Sequence, residues 1–328
     1  MTRGPWPEAG TLEAWASAAL ARWSTPAGAT VQLINISENA SFLVTTSAGP
    51  WAVLRLYRPG RHGRREIDSE LAWMTALAAA GAAVVPGHIL GRDGAAVQSP
   101  LGAEGRRHWV LFRFLTGQTP AAAGDLTAGF ETLGDIAARL HGHVMTWPRP
   151  RGFSRGAWNL AAIFGPHARW GDWRDGPQVT AAERAVLERV EAGLRLRLTD
   201  FGQGPARYGL IHADMRLANL LIDGDDVRLI DFDDCGFGWF LYDLAASLSF
   251  LEDDPRVPVL KTAWLAGYQK RRPLSAADLA EVDSFIMLRR MALLAWIGSH
   301  HEAPEPQALA EGFAVATAAL GENWLAGQ

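Results

Sequence analysis

The sequence predicts an α+β fold with two unequal lobes: a small N-terminal lobe built on an antiparallel sheet with one main helix, and a larger, mostly helical C-terminal lobe. Segments rich in β-branched residues dominate the first part of the chain, and long helical patterns fill most of the remainder. The 328 residues also exceed the usual size of one domain. We therefore expect one domain over residues 1–115 and a second over residues 116–328.

Alternating residues and turn signals give the order of elements in the first lobe. An amphipathic helix opens it, and the next apolar segments suggest a strand meander in ATVQLINI, SFLVTTSAG and PWAVLRLY. A helix is expected in RREIDSELAWMTALAAAG, where apolar residues recur at helical spacing and Gly81 is a stop signal. Two further strands are expected in VVPGHILGRDGAAVQS and RRHWVLFRFL.

The character of the chain changes after TGQTPAAAGD, which places the boundary near residues 116–125. From Leu126 onwards the patterns favour helices, as in ETLGDIAARLHGH, TAAERAVLERVEAGLRLRL and AADLAEVDSFIMLRRMALLAWIG. Most tryptophans, including Trp73 and Trp264, fall at positions predicted to lie in the core.

Composition narrows the class of protein. Hydrophobic residues make up 48% of the chain, as in a folded globular protein, and the net charge of −4 gives no support to nucleic-acid binding. No run is long and apolar enough for a membrane span, and the start of the chain lacks a signal-peptide pattern. The single cysteine, Cys235, suits a reducing compartment. We expect a soluble, cytoplasmic protein.

A predicted hairpin carries the most informative polar residues. An Asp-Gly turn separates the apolar runs LANLLI and VRLIDF, which is a strong hairpin signal. We pair Ile222 with Val227 across this turn. This register brings Asn219 opposite Ile230, one residue before Asp231. Ideal alternation would send Asn219 and Asp231 to opposite faces, so they converge only if the strands end or bulge there.

The chemistry of these residues indicates phosphoryl transfer. Carboxylate and amide oxygens at a strand end suit Mg²⁺. An aspartate nearby, here Asp214, can accept a proton from a hydroxyl nucleophile. In phosphoryl transfer, a protein mainly supplies a base, positions the acceptor and places cations against the phosphates.

The ordered motifs resemble a known family. His212–Asn219 is similar to the H-x-D-x-x-x-x-N catalytic loop of the aminoglycoside phosphotransferase and choline kinase family, relatives of the protein kinases. LIDFDD resembles its metal-binding segment, and ENASFLV, VLRLYRPG, SELAWMTAL, LFRFLTG and GWFLYDLA extend the likeness over residues 30–300. The nearest branch holds the type II homoserine kinases and stress response kinase A. A two-lobed, protein-kinase-like fold is implied.

The resemblance implies roles in the catalytic loop. Asp214 would be the catalytic base, and Asn219 and Asp231 would bind Mg²⁺. Arg216 stands where related kinases have a lysine that steadies the γ-phosphate, so it would stabilise charge in the transition state. Three supporting residues are also implied, with His212 bracing the loop, Asp233 supporting the metal, and Asp243 hydrogen-bonding the loop backbone.

The resemblance also implies an ATP site in the first lobe. The turn at Ser37, Glu38 and Asn39 would cover the phosphates, and Phe114 and Leu115 would lie at the adenine hinge. The family usually places a lysine on the third strand, paired to a glutamate on the next helix.

Here Arg55 stands in place of that lysine, with Glu70 as its partner. Only Lys261 and Lys270 among the 31 basic residues are lysines, so Arg55 fits a chain-wide preference for arginine. The alternative is weakened ATP binding, as in a pseudokinase, because arginine and lysine are not equivalent at a tight site.

Three other features have two interpretations each. His141 and His143 could form a metal pair, although a capping or buried histidine is commoner at a helix end. Cys235 could be redox-sensitive, but a lone cysteine is usually a packed side chain. The acidic loop LEDDP (Leu251 to Pro255) could attract a cationic substrate or simply be solvated.

The sequence thus favours an ATP- and Mg-dependent phosphotransferase that acts on a hydroxyl of a small molecule such as an amino-alcohol, sugar or antibiotic. A protein Ser/Thr kinase of the stress response kinase A type is the second hypothesis, and an impaired, nucleotide-binding pseudokinase is the third. A metal-dependent phosphohydrolase would share the carboxylates but not the small-lobe pattern.

Overall fold

The computed structural model describes residues 6–102, 105–121, 124–224 and 226–327. Contacts between Cα atoms divide the chain into two compact units. The first comprises residues up to Ala79, Val84–Thr116 and Arg149–Ser154, and the second comprises Ala80–Ala83, Gly117–Pro148 and the chain from Arg155 onwards.

Within the described residues, the first unit is a sheet with two helices. Its five-stranded sheet has the order β1-β2-β3-β7-β4, with antiparallel neighbours, and a two-residue ladder joins β5 to β6. The elements are α1 (Ala9–Leu20), β1 (Thr30–Ile36), β2 (Ala40–Thr46), β3 (Gly49–Leu56), α2 (Arg64–Ala79), β4 (His88–Ile89), β5 (Leu101–Gly102), β6 (Gly105–Arg106) and β7 (Trp109–Arg113).

The core of this unit lies where α1 covers the sheet. Leu12 and Ala16 of α1 are buried with Trp23, which follows the helix, and with Phe42 of β2 and Trp109 of β7. Side chains on β2 alternate between buried and partly buried, the period of two expected of a half-buried strand. The amphipathic helix and the strand meander predicted for this region are confirmed.

The second unit is mostly helical. Its short strands form a three-stranded sheet of order β8-β12-β9 and the hairpin β10-β11. The elements are α3 (Thr127–Thr146), β8 (Ala157–Trp158), α4 (Leu160–Phe164), α5 (Ala181–Phe201), β9 (Tyr208–Ile211), β10 (Leu220–Asp223), β11 (Asp226–Leu229), β12 (Gly236–Trp239), α6 (Leu241–Ser247), α7 (Val257–Gln269), α8 (Ala276–Ala280), α9 (Val282–Ser299), α10 (Pro304–Leu309) and α11 (Phe313–Ala326).

Helix α9 lies at the centre of the second unit. All residues from Ser284 to Ile297 are buried, so the helix has no solvent-facing stripe. The helical pattern predicted across residues 276–298 is divided in two: α8, which begins with a capping box between Ser275 and Asp278, ends at Ala280, and α9 begins at Val282. Trp73 and Trp264 are fully buried, as predicted.

The expected fold class, α+β with a small antiparallel sheet unit and a larger helical unit, is confirmed. No helix within the described residues has both the length and the hydropathy that crossing a membrane requires.

Two glycines allow helices α3 and α7 to approach closely. A Cβ atom on Gly134 of α3 would lie 1.9 Å from the carbonyl oxygen of Trp264. On α7, a Cβ atom on Gly267 would lie 1.8 Å from the carbonyl oxygen of Glu131. Backbone contacts of this kind leave no flexible side chain that could move aside.

We predict that Gly134→Ala lowers the free energy of unfolding by about 3 kcal/mol or more, because the methyl group forces the two helices apart. Gly142→Ala on the same helix is the matched control, since a Cβ atom there meets nothing within 4 Å. The control should gain up to about 1 kcal/mol of stability from better helix propensity. Urea denaturation measures both, and equal stability of the two variants would contradict this packing.

Candidate active site

The predicted catalytic loop follows strand β9 directly. It begins at His212 and ends in a 3₁₀ turn, Leu217–Asn219, that leads into β10. Ala213 adopts a φ of +68°, a left-handed conformation that non-glycine residues rarely take. Strain of this kind persists only where the surroundings hold it in place.

Asp243 at the start of α6 provides that hold. Its Oδ1 accepts a hydrogen bond from the Ala213 amide at 2.7 Å, and its Oδ2 accepts one from the His212 amide at 3.1 Å. Oδ2 also lies 3.0 Å from Nε2 of His141, and both side chains are fully buried. The predicted hydrogen bonding of Asp243 to the loop backbone is confirmed.

His212 has both ring nitrogens engaged inside the loop. Nδ1 accepts a hydrogen bond from the Asp214 amide, and Nε2 lies 3.2 Å from the carbonyl oxygen of Ile230. Its ring also packs against Phe232, with the centroids 4.5 Å apart. These are the contacts expected of a residue that braces the loop.

The rings of His141 and His143, considered above as a metal pair, have different partners. Nδ1 of His141 lies 3.0 Å from the hydroxyl of Tyr268, while its Nε2 faces Asp243. The ring of His143 instead packs beside Trp147, and burial lowers the pKa of both histidines. Among the residues that the structure describes, no three or more His, Cys, Asp or Glu side chains cluster as a metal site.

The Asp214 carboxylate is held from two sides. Oδ2 accepts a hydrogen bond of 2.6 Å from Nδ2 of Asn219, and Oδ1 accepts one of 2.6 Å from Nη2 of Arg289. Nε of Arg216 lies 3.5 Å from Oδ2. Burial by itself would raise the pKa of Asp214, but the charges of Arg216 and Arg289 outweigh it and hold this pKa below its ordinary value. Asp214 is therefore ionised at neutral pH.

Arg289 is a site residue that the motif does not include. It lies on α9, fully enclosed, and also donates to the Ala213 carbonyl oxygen at 3.0 Å and to Oγ of Ser249 at 2.9 Å. The sequence does carry a signal for it, because two adjacent arginines interrupt the otherwise apolar run FIMLRRMALL. A buried arginine needs charged partners, although the sequence does not name them.

Arg216 makes a two-pronged ion pair with Glu305 of α10. Both guanidinium Nη atoms donate to the two carboxylate oxygens, the longer of these bonds measuring 3.3 Å. The guanidinium carbon also lies 5.8 Å from the ring centroid of Phe250. Glu305 was not among the predicted residues.

The hairpin has the predicted register. Ile222 pairs with Val227, and the Ile230 amide donates to the carbonyl oxygen of Asn219 at 3.0 Å. Neither Asn219 nor Asp231 belongs to the hairpin strands, because β10 begins after Asn219 and β11 ends before Asp231. This is the condition under which their side chains can converge. Asn219 closes the 3₁₀ turn, and Asp231 has a φ of +63°. Of the turn residues, Asp225 lies outside the described part of the chain.

Asp231 and Asp233 follow the hairpin. Burial lowers the pKa of Arg216, but the charges of Asp214, Glu305 and Asp231 outweigh it and raise this pKa. Asp233 is buried, and its carbonyl oxygen accepts a hydrogen bond from Arg155.

In the first unit, Arg55 of β3 pairs with Glu70 of α2 as predicted. Their charged atoms lie 3.5 Å apart, and the Glu70 side chain is fully buried. The Tyr57 hydroxyl donates to the same carboxylate oxygen at 3.1 Å, and the guanidinium of Arg55 lies 5.3 Å from the ring centroid of Phe112. The pair expected of an active kinase is thus formed with arginine in place of lysine.

The turn predicted to cover phosphates joins β1 to β2. The Ser37 amide donates to the carbonyl oxygen of Asn39 at 3.0 Å, and Oδ1 of Asn39 accepts a hydrogen bond from the Arg58 amide. Glu38 forms an ion pair with Arg61.

The predicted adenine-hinge residues follow β7. The Phe114 amide donates to the carbonyl oxygen of Trp51 at 3.3 Å, and both Phe114 and Leu115 are partly exposed.

We predict that Asp243→Asn lowers the free energy of unfolding by about 3 kcal/mol. Both oxygens of the Asp243 carboxylate accept hydrogen bonds from buried N–H groups, whereas the NH2 group of asparagine would face one of these donors with a donor of its own. Asp200→Asn, at an exposed position of α5, is the matched control and should change stability by less than about 0.5 kcal/mol. Chemical denaturation compares the two, and a similar small effect for both would show that Asp243 does not hold the loop.

Comparisons with known proteins agree on one family. Residues 30–279 match the model of the phosphotransferase enzyme family. The structure of a microcompartment-associated aminopropanol kinase superposes with a TM-score of 0.89 at 42% identity, covering 96% of this chain and 98% of that one. A homoserine kinase of Methylobacterium nodulans is 32% identical over 251 residues, which are 75% of this chain and 72% of that protein.

An amicoumacin kinase, solved with AMP-PNP, Ca²⁺ and amicoumacin, shares the fold with a TM-score of 0.76 at 21% identity, over 95% of this chain and 93% of that one. The chain belongs to the phosphotransferase enzyme family, and these relatives, which it matches over most of its length, are kinases.

Proposed function

We propose that this protein transfers the γ-phosphoryl group of ATP to the hydroxyl of a small amino-alcohol, with Asp214 as the base. The observation that carries the proposal is the position of the Asp214 carboxylate, fixed on one oxygen by Arg289 and on the other by Asn219. A carboxylate that is both ionised and immobile is suited to orient a hydroxyl nucleophile.

The proposed step is an in-line attack of the acceptor hydroxyl on ATP. The acceptor hydroxyl donates its hydrogen bond to Asp214, and its oxygen attacks the γ-phosphorus of ATP. The bond from the γ-phosphorus to the bridging oxygen breaks, and ADP leaves with that electron pair. Asp214 takes up the hydroxyl proton and returns it to solvent. An ionised carboxylate has about four acceptor positions, so the two existing hydrogen bonds leave room for the acceptor.

A divalent cation would be held by Asn219 and Asp231. Because Nδ2 of Asn219 donates to Asp214, the amide oxygen is the atom that a cation would bind. Together with the Asp231 carboxylate this gives an all-oxygen donor set, which suits Mg²⁺ because that ion keeps several water ligands. When bound, the cation supplies positive charge against the phosphates.

Three arginines have distinct proposed roles. Arg216 keeps its charge, since Asp214 and Glu305 outweigh burial and raise its pKa, and it would stabilise negative charge on the transferred group. Arg55, supported by Glu70, would hold the nucleotide phosphates with the turn at residues 37–39. Arg289 positions the base. The intact Arg55–Glu70 pair favours an active kinase over a pseudokinase.

The acceptor is proposed from the most similar structure described above. Identity of 42% over nearly the whole of both chains to an aminopropanol kinase supports an amino-alcohol acceptor. The homoserine kinase, at 32% identity, makes a hydroxyl-bearing amino acid the second candidate. Neither relative is a protein kinase, so a protein acceptor has no comparable support.

We predict that Asp214→Asn lowers kcat by at least about 100-fold, the usual contribution of a general base, while nucleotide binding is retained. ADP release from ATP and Mg²⁺ with aminopropanol, homoserine and choline as acceptors measures the rate. Asp200→Asn is the control and should match the parent. Unchanged turnover in Asp214→Asn, with any acceptor that the parent uses, would exclude Asp214 as the base.

We predict that Arg289→Met shifts the acid limb of the kcat/KM profile to higher pH. Arg289 lowers the pKa of Asp214, so its loss raises that pKa, and the carboxylate is protonated sooner as the pH falls. The rate deficit of the variant should therefore be larger at pH 5 than at pH 8.

Arg189→Met, which removes an exposed charge, is the control for general electrostatics. An acid limb that stays in place in Arg289→Met, or one that moves equally in the control, would contradict the role of Arg289.

A further inference from the structure

Glu305 of α10 lies beside the proposed base, although the sequence motifs do not include it. Both Nη atoms of Arg216 donate to its carboxylate oxygens, and Nε of the same guanidinium lies 3.5 Å from Oδ2 of Asp214. The carboxylates of Asp214 and Glu305 therefore lie at two edges of one guanidinium group. A small molecule with a hydroxyl and an ammonium group on neighbouring carbons could contact both.

Solvent reaches Glu305 in spite of this ion pair. Its side chain is 39% exposed, against 16% for Asp214 and 19% for Arg216. An ionised carboxylate has about four acceptor positions, and Arg216 occupies two of those on Glu305. The nearby amide of Gln307 does not compete for the others, since it donates to the carbonyl oxygen of His301 at 2.9 Å. A donor from solution can therefore bind Glu305 without displacing Arg216.

A strained aromatic residue packs against Arg216 as well. Phe250 has a φ of +67°, an outlier for a bulky side chain. Its ring centroid lies 5.8 Å from the guanidinium carbon of Arg216 and 6.0 Å from the ring centroid of Trp296. Strain of this kind persists only where the surroundings hold it, and it is common at functional sites. The contact limits the movement of the guanidinium that Glu305 engages.

A carboxylate on Arg216 works against the role proposed for that arginine. Arg216 would stabilise negative charge on the transferred group, and Glu305 presents it with a competing negative charge. A cation bound to Glu305 would offset this competition. The acceptor proposed above carries such a cation, because an aliphatic amine is protonated at neutral pH.

The charges around Arg216 also favour a cationic ligand. The carboxylates of Asp214, Glu305 and Asp231 all act on its guanidinium, and Arg289 is the second cation in direct contact with this group, through Asp214. Three carboxylates thus face two guanidinium groups. A nucleotide and one divalent cation would add further negative charge, since the phosphates outweigh the cation. A cationic acceptor would reduce this excess.

We propose that Glu305 binds the ammonium group of the acceptor while Asp214 binds its hydroxyl, and that this contact makes the site selective for amino-alcohols over neutral alcohols. The inference rests on the proposed function, because it takes Asp214 as the group that orients the hydroxyl. It gives the amino group of the acceptor a recognition residue of its own.

The test measures acceptor binding by calorimetry on the whole chain, with Mg²⁺ and AMP-PNP present so that no phosphoryl group is transferred. Aminopropanol is the probe, and propanediol, in which a hydroxyl replaces the ammonium group, is its neutral analogue. We expect aminopropanol to bind at least about tenfold more tightly than propanediol at the same salt and pH. No saturable binding of aminopropanol, or equal binding of the two, would overturn the proposal.

Two variants locate the contact. Glu305→Gln should weaken binding of aminopropanol at least about tenfold and change binding of propanediol by less than about twofold. Glu302→Gln, which removes an exposed charge from the same segment, is the matched control and should change neither by more than about twofold. If Glu305→Gln weakens both ligands equally, Glu305 acts only by holding Arg216, which refutes the ammonium contact. Equal effects of the two variants on aminopropanol would refute it as well, since they would show general attraction by charge.

A third variant tests the charge itself. Glu305→Asp keeps a carboxylate on a shorter side chain and should retain more of the preference for aminopropanol than Glu305→Gln does. The same preference in both would contradict the proposal. Failure of the proposed function is seen separately, because a chain that binds aminopropanol through Glu305 but yields no phosphorylated product from ATP would retain the ammonium site and lose the transfer reaction.

Discussion

One buried carboxylate determines the geometry of the catalytic loop. Asp243 accepts the amides of His212 and Ala213 and faces the ring of His141, so it ties the loop to α3 as well as to its own helix. Ala213 keeps its left-handed conformation because its own amide and that of His212 are both held by Asp243. The position of Asp214 depends on this arrangement, since Asp214 follows Ala213 directly in the chain.

The second constraint comes from helix α9, which carries two adjacent arginines through the middle of an apolar unit. Arg289 forms an ion pair with Asp214, and Arg290 forms one with Glu252. Burying these charges is costly, and it is tolerated because each arginine meets a carboxylate and further hydrogen-bond acceptors. The first pair helps to keep the proposed base ionised.

The sequence predicted the fold class, the family and the local geometry near the motif, because hairpin register, turn signals and the Arg55–Glu70 pair depend on residues close together in the chain or on recognised motifs. It did not predict Arg289 or Glu305, which lie 75 and 89 positions after their partners. Pairing at such separations is set by how helices pack, and a double arginine in an apolar helix indicates only that buried partners exist. The base, the metal ligands and the nucleotide contacts stay predictions.

The most direct test of the proposed chemistry is phosphorus NMR of the chain incubated with ATP, Mg²⁺ and aminopropanol. Transfer to the hydroxyl predicts a phosphate monoester resonance, split by coupling to the proton on the hydroxyl-bearing carbon, that grows in step with ADP. Inorganic phosphate as the sole product would indicate hydrolysis, and a phosphoramidate would place the phosphoryl group on the amine. Either result would contradict the mechanism built on Asp214.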